Sequence, residues 1–172
     1  MDNYTFSSDI GCTLADIRAT SVLSERFFQT TQHPGDFQVC EANDLFIYER
    51  MPWCSNVIKQ NLEVVGFTFC FPTTPEDAAS FVSRALSERD LFERLKVNLK
   101  PLPCTALYLC ATVIAPEHRG RALSYRAFLK TFEKIKVTKE NTTLVSWPQT
   151  NEGKRLAKIC ERKGYRLLTR ED

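Results

Sequence analysis

The sequence predicts a mixed α/β domain built on a central sheet, and three observations carry that reading. Six short runs rich in apolar, aromatic or β-branched residues punctuate the chain. Between most of them lie segments with apolar residues at helical spacing and with recognisable start and stop signals. The 172 residues, 43% hydrophobic and 26% charged, suit one soluble globular domain with a real core. The order is β-α-β-β-α-β-α-β-α-β, read as one domain over residues 1–172, because no segment has the composition of a linker.

Each element has a local reason. Tyr4–Ser7 reads as a short first strand. Leu14 to Gln29 is rich in helix formers and has Thr13 in the N-cap position. His33-Pro34-Gly35 marks a loop. Asp44–Met51, with Leu45-Phe46-Ile47-Tyr48, reads as a strand ended by Pro52 and pairing as a long-looped antiparallel hairpin with Val64–Phe71. Thr74-Pro75-Glu76-Asp77 is a helix start, with a cap, a proline at the first position and acids at the positive end of the dipole. Ala78, Phe81, Val82, Ala85 and Leu86 follow at helical spacing; Phe92, Leu95 and Leu99 continue this element or form a second, and Pro101 and Pro103 end it. Ala106–Ala115 is apolar on both faces, as a central strand is. Leu123–Val137 is an amphipathic helix with Tyr125, Phe128, Leu129, Phe132 and Ile135 on one face. Thr142–Trp147 is a strand, Glu152–Lys163 a helix stopped by Gly164, and Tyr165–Thr169 the last strand.

Bulk properties exclude several classes. The N-terminus has neither a basic n-region nor an apolar h-region, so a secretory signal is not expected. The longest nearly unbroken apolar run, Ala106 to Pro116, is shorter than the about 20 residues a membrane helix needs. No repeat or low-complexity tract is visible. Seven cysteines without a C-x-x-C pair read as buried thiols in a reducing cytosol, and their spacing, with only His33 and His118 to help, does not suit a zinc site. The expected location is therefore cytoplasmic, with no metal and no membrane.

Net charge is +2 but uneven: residues 1–117 carry 9 Lys+Arg against 15 Asp+Glu, and residues 118–172 carry 14 against 6. A basic C-terminal third suits an anionic ligand. Nucleic acid is disfavoured, because the basic residues are spread over two helices with few interleaved aromatics.

The junction Val113-Ile114-Ala115-Pro116-Glu117-His118-Arg119-Gly120-Arg121-Ala122-Leu123 holds the chemistry. A buried strand ends at Pro116, a glycine turn follows, and a helix begins at once. Such a turn aims backbone N–H groups and the helix dipole at one point, which binds phosphate. Gly120 and Ala122 permit close approach, and Arg119 and Arg121 add charge. A plain strand-to-helix turn with solvated arginines is the competing reading.

The segment Glu117-His118-Arg119-Gly120-Arg121-Ala122 resembles the Q/R-x-x-G-x-G/A signature of the GNAT acetyltransferases, departing only at Glu117. Val65-Gly66-Phe67 resembles the strand before the central one, and Leu144 to Tyr165, with Asn151 and Gly164-Tyr165, resembles the C-terminal motif. The match covers about residues 62–71 and 106–168. The resemblance implies a central mixed, mostly antiparallel sheet flanked by helices, with 75–99 as a helical insertion between the third and fourth strands.

The resemblance also implies an acetyl-CoA (acyl-CoA) donor and direct transfer to a primary amine, on a small molecule, a protein N-terminus or a Lys. Backbone groups of Val113 and Ile114 would pair with the pantetheine arm. N–H groups of Arg119, Gly120, Arg121 and Ala122 would hold the pyrophosphate. Asn151 would lie near the sulfur, or would simply cap the last helix. The family's general acid is a Tyr four residues before the closing glycine; counting back from Gly164 gives Cys160, either a thiol acid or a packed residue. Tyr108, Thr112, Glu49, Ser146, Tyr125 and His118 are further polar candidates, each with a structural reading beside it. The acceptor groove would come from residues 20–60 and 72–104. Exposed strand edges suggest a homodimer. The alternative is a degenerate domain binding CoA or a protein partner without catalysis, which Glu117 and the missing Tyr favour.

Overall fold

The computed structural model describes residues 3–171; Met1 and Asp2, read above with the N-terminal segment, lie outside them. Six strands form one mixed sheet in sequential order: β1 (Tyr4–Phe6), β2 (Ser55–Gln60), β3 (Glu63–Thr73), β4 (Ala106–Ile114), β5 (Thr143–Ser146) and β6 (Arg166–Thr169). β1–β2 and β2–β3 are antiparallel, while β4–β5 and β5–β6 are parallel. The helices are α1 (Ser7–Ile10), α2 (Leu14–Phe28), α3 (Glu41–Arg50), α4 (Pro75–Val82), α5 (Glu88–Val97), α6 (Leu123–Lys134) and α7 (Asn151–Arg162). The chain divides into two compact units, one of residues 3–34, 38–69 and 111–134, the other of residues 35–37, 70–110 and 135–171.

In the first unit, α2 starts at a reciprocal cap: Thr13 accepts from the Asp16 N–H, and Asp16 accepts from the Thr13 N–H. Asp16 also pairs with Lys59 of β2 at 2.7 Å. Tyr4, Phe6, Ile58, Val65, Ile114, Leu123 and Ala127 form one apolar cluster. Asn56 fastens β2 to α6, donating to the Ala127 carbonyl at 2.8 Å and to Thr131 at 3.3 Å, and accepts from the Ser8 N–H. At Gly66 a Cβ would stand 2.6 Å from the Val113 carbonyl oxygen, so a side chain has no room there.

The expected strand over Asp44–Met51 is a helix, α3, and the second strand is Ser55–Gln60 instead. The Leu45–Tyr48 run is too short to distinguish strand from helix by itself. The acids Glu41 and Asp44 in the first turn and Arg50 in the last suit the helix dipole. Asn43, Asp44 and Ile47 are its buried residues. β2 joins β3 through Asn61 and Leu62, both at positive φ (51° and 73°), a two-residue hairpin turn of the primed type.

In the second unit, segment 75–99 is two helices. α4 is capped by Thr74 and opened by Pro75; α5 is capped reciprocally by Ser87 and Asp90. Phe71, Phe81, Phe92 and Tyr108 pack edge to face, with Phe37 on Phe92 and Trp147 on Phe81. α7 is capped by Thr150, whose hydroxyl accepts from the Gly153 N–H, so Asn151 is not the cap. The buried face of α6 runs through Leu123, Ala127, Phe128, Thr131 and Phe132; Leu129, expected there, is 37% exposed. None of the seven cysteines forms a disulfide. Cys54, Cys70, Cys104 and Cys160 are buried, whereas Cys40, expected inside, is exposed and Cys110 is half-buried.

Candidate functional site

β4 delivers Val113 and Ile114, both buried, to the start of the loop. The Ala115 N–H then closes onto the Val65 carbonyl at 2.9 Å. Pro116–His118 makes a single 3-10 turn. Gly120 follows at φ +77° and Ala122 at φ +55°, and α6 begins at Leu123. The first helical bond runs from the Arg126 N–H to the Ala122 carbonyl, so the amides before Arg126 stand outside the helix ladder; the Arg119 N–H, expected to face the pyrophosphate, instead donates to the Pro116 carbonyl at 3.2 Å and closes the 3-10 turn. Left-handed backbone at Ala122 costs about 1 kcal/mol in a non-glycine residue. Among the described residues Gln29, Asn61, Leu62, Arg84 and Lys136 share that non-glycine positive φ. A Cβ on Gly120 would meet nothing within 4 Å. The protein's own packing therefore leaves that face of the loop open to an incoming group.

The side chains around the loop are tied back to it. Arg119 donates from Nε to the Ile114 carbonyl at 3.0 Å, and its guanidinium lies 5.8 Å over the Phe27 ring. Arg121 lies 5.8 Å over Tyr4. The Tyr4 hydroxyl meets His118 Nδ1 at 3.0 Å, which fixes the turn before Arg119. Glu117 is exposed and 3.9 Å from His118 Nε2. Val113, Ile114, Arg119, Gly120, Arg121 and Ala122 are thus gathered in the first unit, as a strand end, a strained turn and a helix start.

Tyr108, Asn151 and Cys160 lie in the second unit. Asn151 is exposed in the first turn of α7. Cys160 is fully buried, and burial pushes its thiol up to about 11. Tyr108 is 1% exposed, and its hydroxyl donates to Glu88 Oε1 at 2.5 Å. Burial first, then the Glu88 charge, pushes the phenol well above its ordinary value. Of the other candidates, Glu49 is exposed on α3, Thr112 and Tyr125 are half-buried, and Ser146 ends β5 with a buried hydroxyl that has no hydrogen-bond partner.

Sequence reasoning missed Glu88. This first residue of α5 is buried, and it also accepts from the Phe37 N–H and, at 3.5 Å, from the Cys110 thiol. Burial pushes its carboxyl above the usual carboxylate range, against the lowering effect of those donors. In sequence, a Glu behind a Ser cap reads as an ordinary first-turn acid, so only the fold shows where it goes. Arg170 flanks the same cluster, stacked 4.4 Å from Trp147 and 4.7 Å from Phe81 and donating to the Leu86 carbonyl. Among the described residues, no group of His, Cys, Asp or Glu is placed to hold a metal ion, and no helix is long and apolar enough to cross a membrane.

No family model and no curated protein matches the chain. Solved structures do. GphF, a GNAT-like decarboxylase in complex with isobutyryl-CoA, matches at 14% identity over 94% of this chain and 71% of that one, with a TM-score of 0.55. The loading GNATL domain of CurA from Lyngbya majuscula matches at 14% identity over 87% and 67%, TM-score 0.49. A ribosomal-protein-alanine N-acetyltransferase from Brucella melitensis biovar Abortus 2308 matches at 12% over 91% and 88%, TM-score 0.46. The fold assignment rests on the first: the chain has a GNAT-like fold, with α4 and α5 between β3 and β4.

Proposed function

We propose that the protein is an acyl-CoA-dependent acyltransferase, with acetyl-CoA as donor and a primary amine as acceptor. The observation that carries this reading is the open, strained turn from Arg119 to Ala122 at the start of α6. Amides outside the helix ladder, the helix dipole and two arginines suit a pyrophosphate. The bound isobutyryl-CoA of the GNAT-like decarboxylase supports an acyl-CoA ligand for this fold. The backbone of Val113 and Ile114 would then hold the pantetheine arm in the manner of an added strand. Bound CoA supplies an activated thioester; this chain's residues orient it, exclude water and move protons.

Cys160 is a poor general acid on this reading, because it is enclosed on the apolar face of α7. Tyr108 is a positioning residue, since its hydroxyl is committed to Glu88. The second reading, a CoA-binding domain without catalysis, is favoured by Glu117 at the head of the turn, exposed beside an anion site. Gly120→Glu tests the cradle. It places bulk and a negative charge where the pyrophosphate would sit; a Cβ there meets no protein atom within 4 Å, while the φ of +77° adds the strain of a left-handed non-glycine residue, so thermal unfolding is read beside binding. The expected result is a folded protein that no longer binds acetyl-CoA; retained affinity would show that the phosphate site is elsewhere.

A further inference from the structure

The turn between β4 and α6 is open on one side, where a Cβ on Gly120 would meet nothing within 4 Å, so its shape is set from the other side. One side chain from a distant element reaches it there. Tyr4 stands on β1, which the ladder with β2 fixes, Tyr4 opposite Gln60 and Phe6 opposite Ile58. Its body is buried in one apolar cluster with Ile114, the last residue of β4, and Leu123, the first of α6. Between those two ends it touches the turn itself. Its hydroxyl shares a 3.0 Å hydrogen bond with His118 Nδ1, and its ring meets the imidazole edge to face at 5.8 Å. The Arg121 guanidinium lies 5.8 Å from the centroid of the same ring. Arg119, resting over Phe27, adds a tie from Nε to the Ile114 carbonyl, but that bond closes within the same stretch of chain.

We propose that Tyr4 is a positioning residue for the acyl donor: through His118 and Arg121 it holds the turn from Arg119 to Ala122 in the shape that receives the diphosphate. This inference rests on the acyl-CoA reading, and it adds a residue outside every segment that carries the family resemblance. The physical basis is preorganisation. Amides that must converge on a diphosphate lose affinity according to the time the loop spends in other shapes. Gly120 gives the loop that freedom, because glycine enters left-handed and right-handed regions alike. Tyr4 restrains it without occupying the ligand's side. Its hydroxyl acts on the 3-10 turn Pro116–His118 ahead of the glycine, and its ring acts on Arg121 directly after it. Tyr4 need touch no atom of the donor for this, so its loss weakens binding without abolishing it, unlike a charge placed at Gly120.

Calorimetric titration of the full chain with acetyl-CoA, beside thermal unfolding, tests the proposal. Tyr4→Phe keeps the ring, and with it the packing and the Arg121 contact, and removes the bond to His118. The expected affinity is roughly 3- to 10-fold weaker than wild type, the net worth of one hydrogen bond. His118→Ala cuts the same bond from its other end and should lose as much, and the double variant should lose no more than either. His118→Asn sets an amide, able to donate or accept, near the position of Nδ1 and should recover most of the affinity. In a Tyr4→Phe background that recovery should vanish. A merely structural Tyr4 would lower the unfolding temperature and leave acetyl-CoA affinity within about twofold of wild type; that result, or additive losses in the double variant, would overturn the proposal. If Tyr4→Phe failed to fold, the two His118 variants would answer from the other side of the bond, and equal affinities for them would overturn it. Wild-type protein that binds acetyl-CoA, with Gly120→Glu that does not and Tyr4→Phe that matches wild type, would remove Tyr4 alone. Wild-type protein that binds none would overturn the proposal together with the donor reading.

Discussion

Tyr108→Phe removes one hydroxyl and keeps a ring that packs 5.2 Å from Phe71 and 4.9 Å from Phe81. The lost interaction is the donation to Glu88. A hydrogen bond to an ionised group is worth about 1.5–3 kcal/mol, and the partner left behind is buried. For a chain of this size that is a fall in Tm of about 3–12 °C. The pH dependence follows from the direction of the Glu88 shift. Its folded pKa lies above the unfolded value, so the stability from the neutral carboxyl is complete below the unfolded pKa. That stability is lost as pH rises through the folded pKa. Removing a donor that favours the charged form raises the folded pKa further. The deficit of Tyr108→Phe should therefore be largest at higher pH and shrink on acidification. Urea unfolding of both proteins across that range measures it. A deficit below about 0.5 kcal/mol, or one that grows as pH falls, would refute the assignment of Glu88 as a buried carboxylate depending on Tyr108.

Two further predictions concern the frame around the turn. Gly66→Ala sets a methyl group 2.6 Å from the Val113 carbonyl oxygen, so β3 and β4 must move apart; thermal unfolding should show a loss of about 2 kcal/mol or more, and acetyl-CoA binding should weaken with it. Asn56→Ala strips the Ala127 carbonyl and the Ser8 amide of their side-chain partner; the expected cost is about 1–3 kcal/mol in chemical denaturation, and a change under a few tenths would mean that the network is not needed.

The parts of the fold written in strong local signals were legible. The apolar run from Ala106 and the proline, glycine and helix that follow it announced β4, the turn and α6. Thr74-Pro75 and Gly164 marked the start of α4 and the end of α7. The region from 40 to 62 was not legible, for two physical reasons. Leu45–Tyr48 is too short to carry a period, so the run by itself does not separate strand from helix. The β2–β3 turn uses Asn61 and Leu62 where Asn-Gly would be the readable signal; Leu62, 91% exposed at φ +73°, is an unusual residue for that place. In the second unit, side-chain burial cannot be read from spacing: Glu88 and Tyr108 are twenty positions apart and meet only in the folded chain.

If the turn from Arg119 to Ala122 holds the diphosphate of an acyl-CoA, Gly120 is the position where binding is lost most directly. Calorimetric titration of the purified chain with acetyl-CoA, beside the same titration of Gly120→Glu, tests it most directly. Saturable one-to-one binding to the wild type is expected, with a Kd at about micromolar or below, and none to the variant. A folded wild-type protein that takes up no acetyl-CoA, or two proteins that bind it equally, would contradict it.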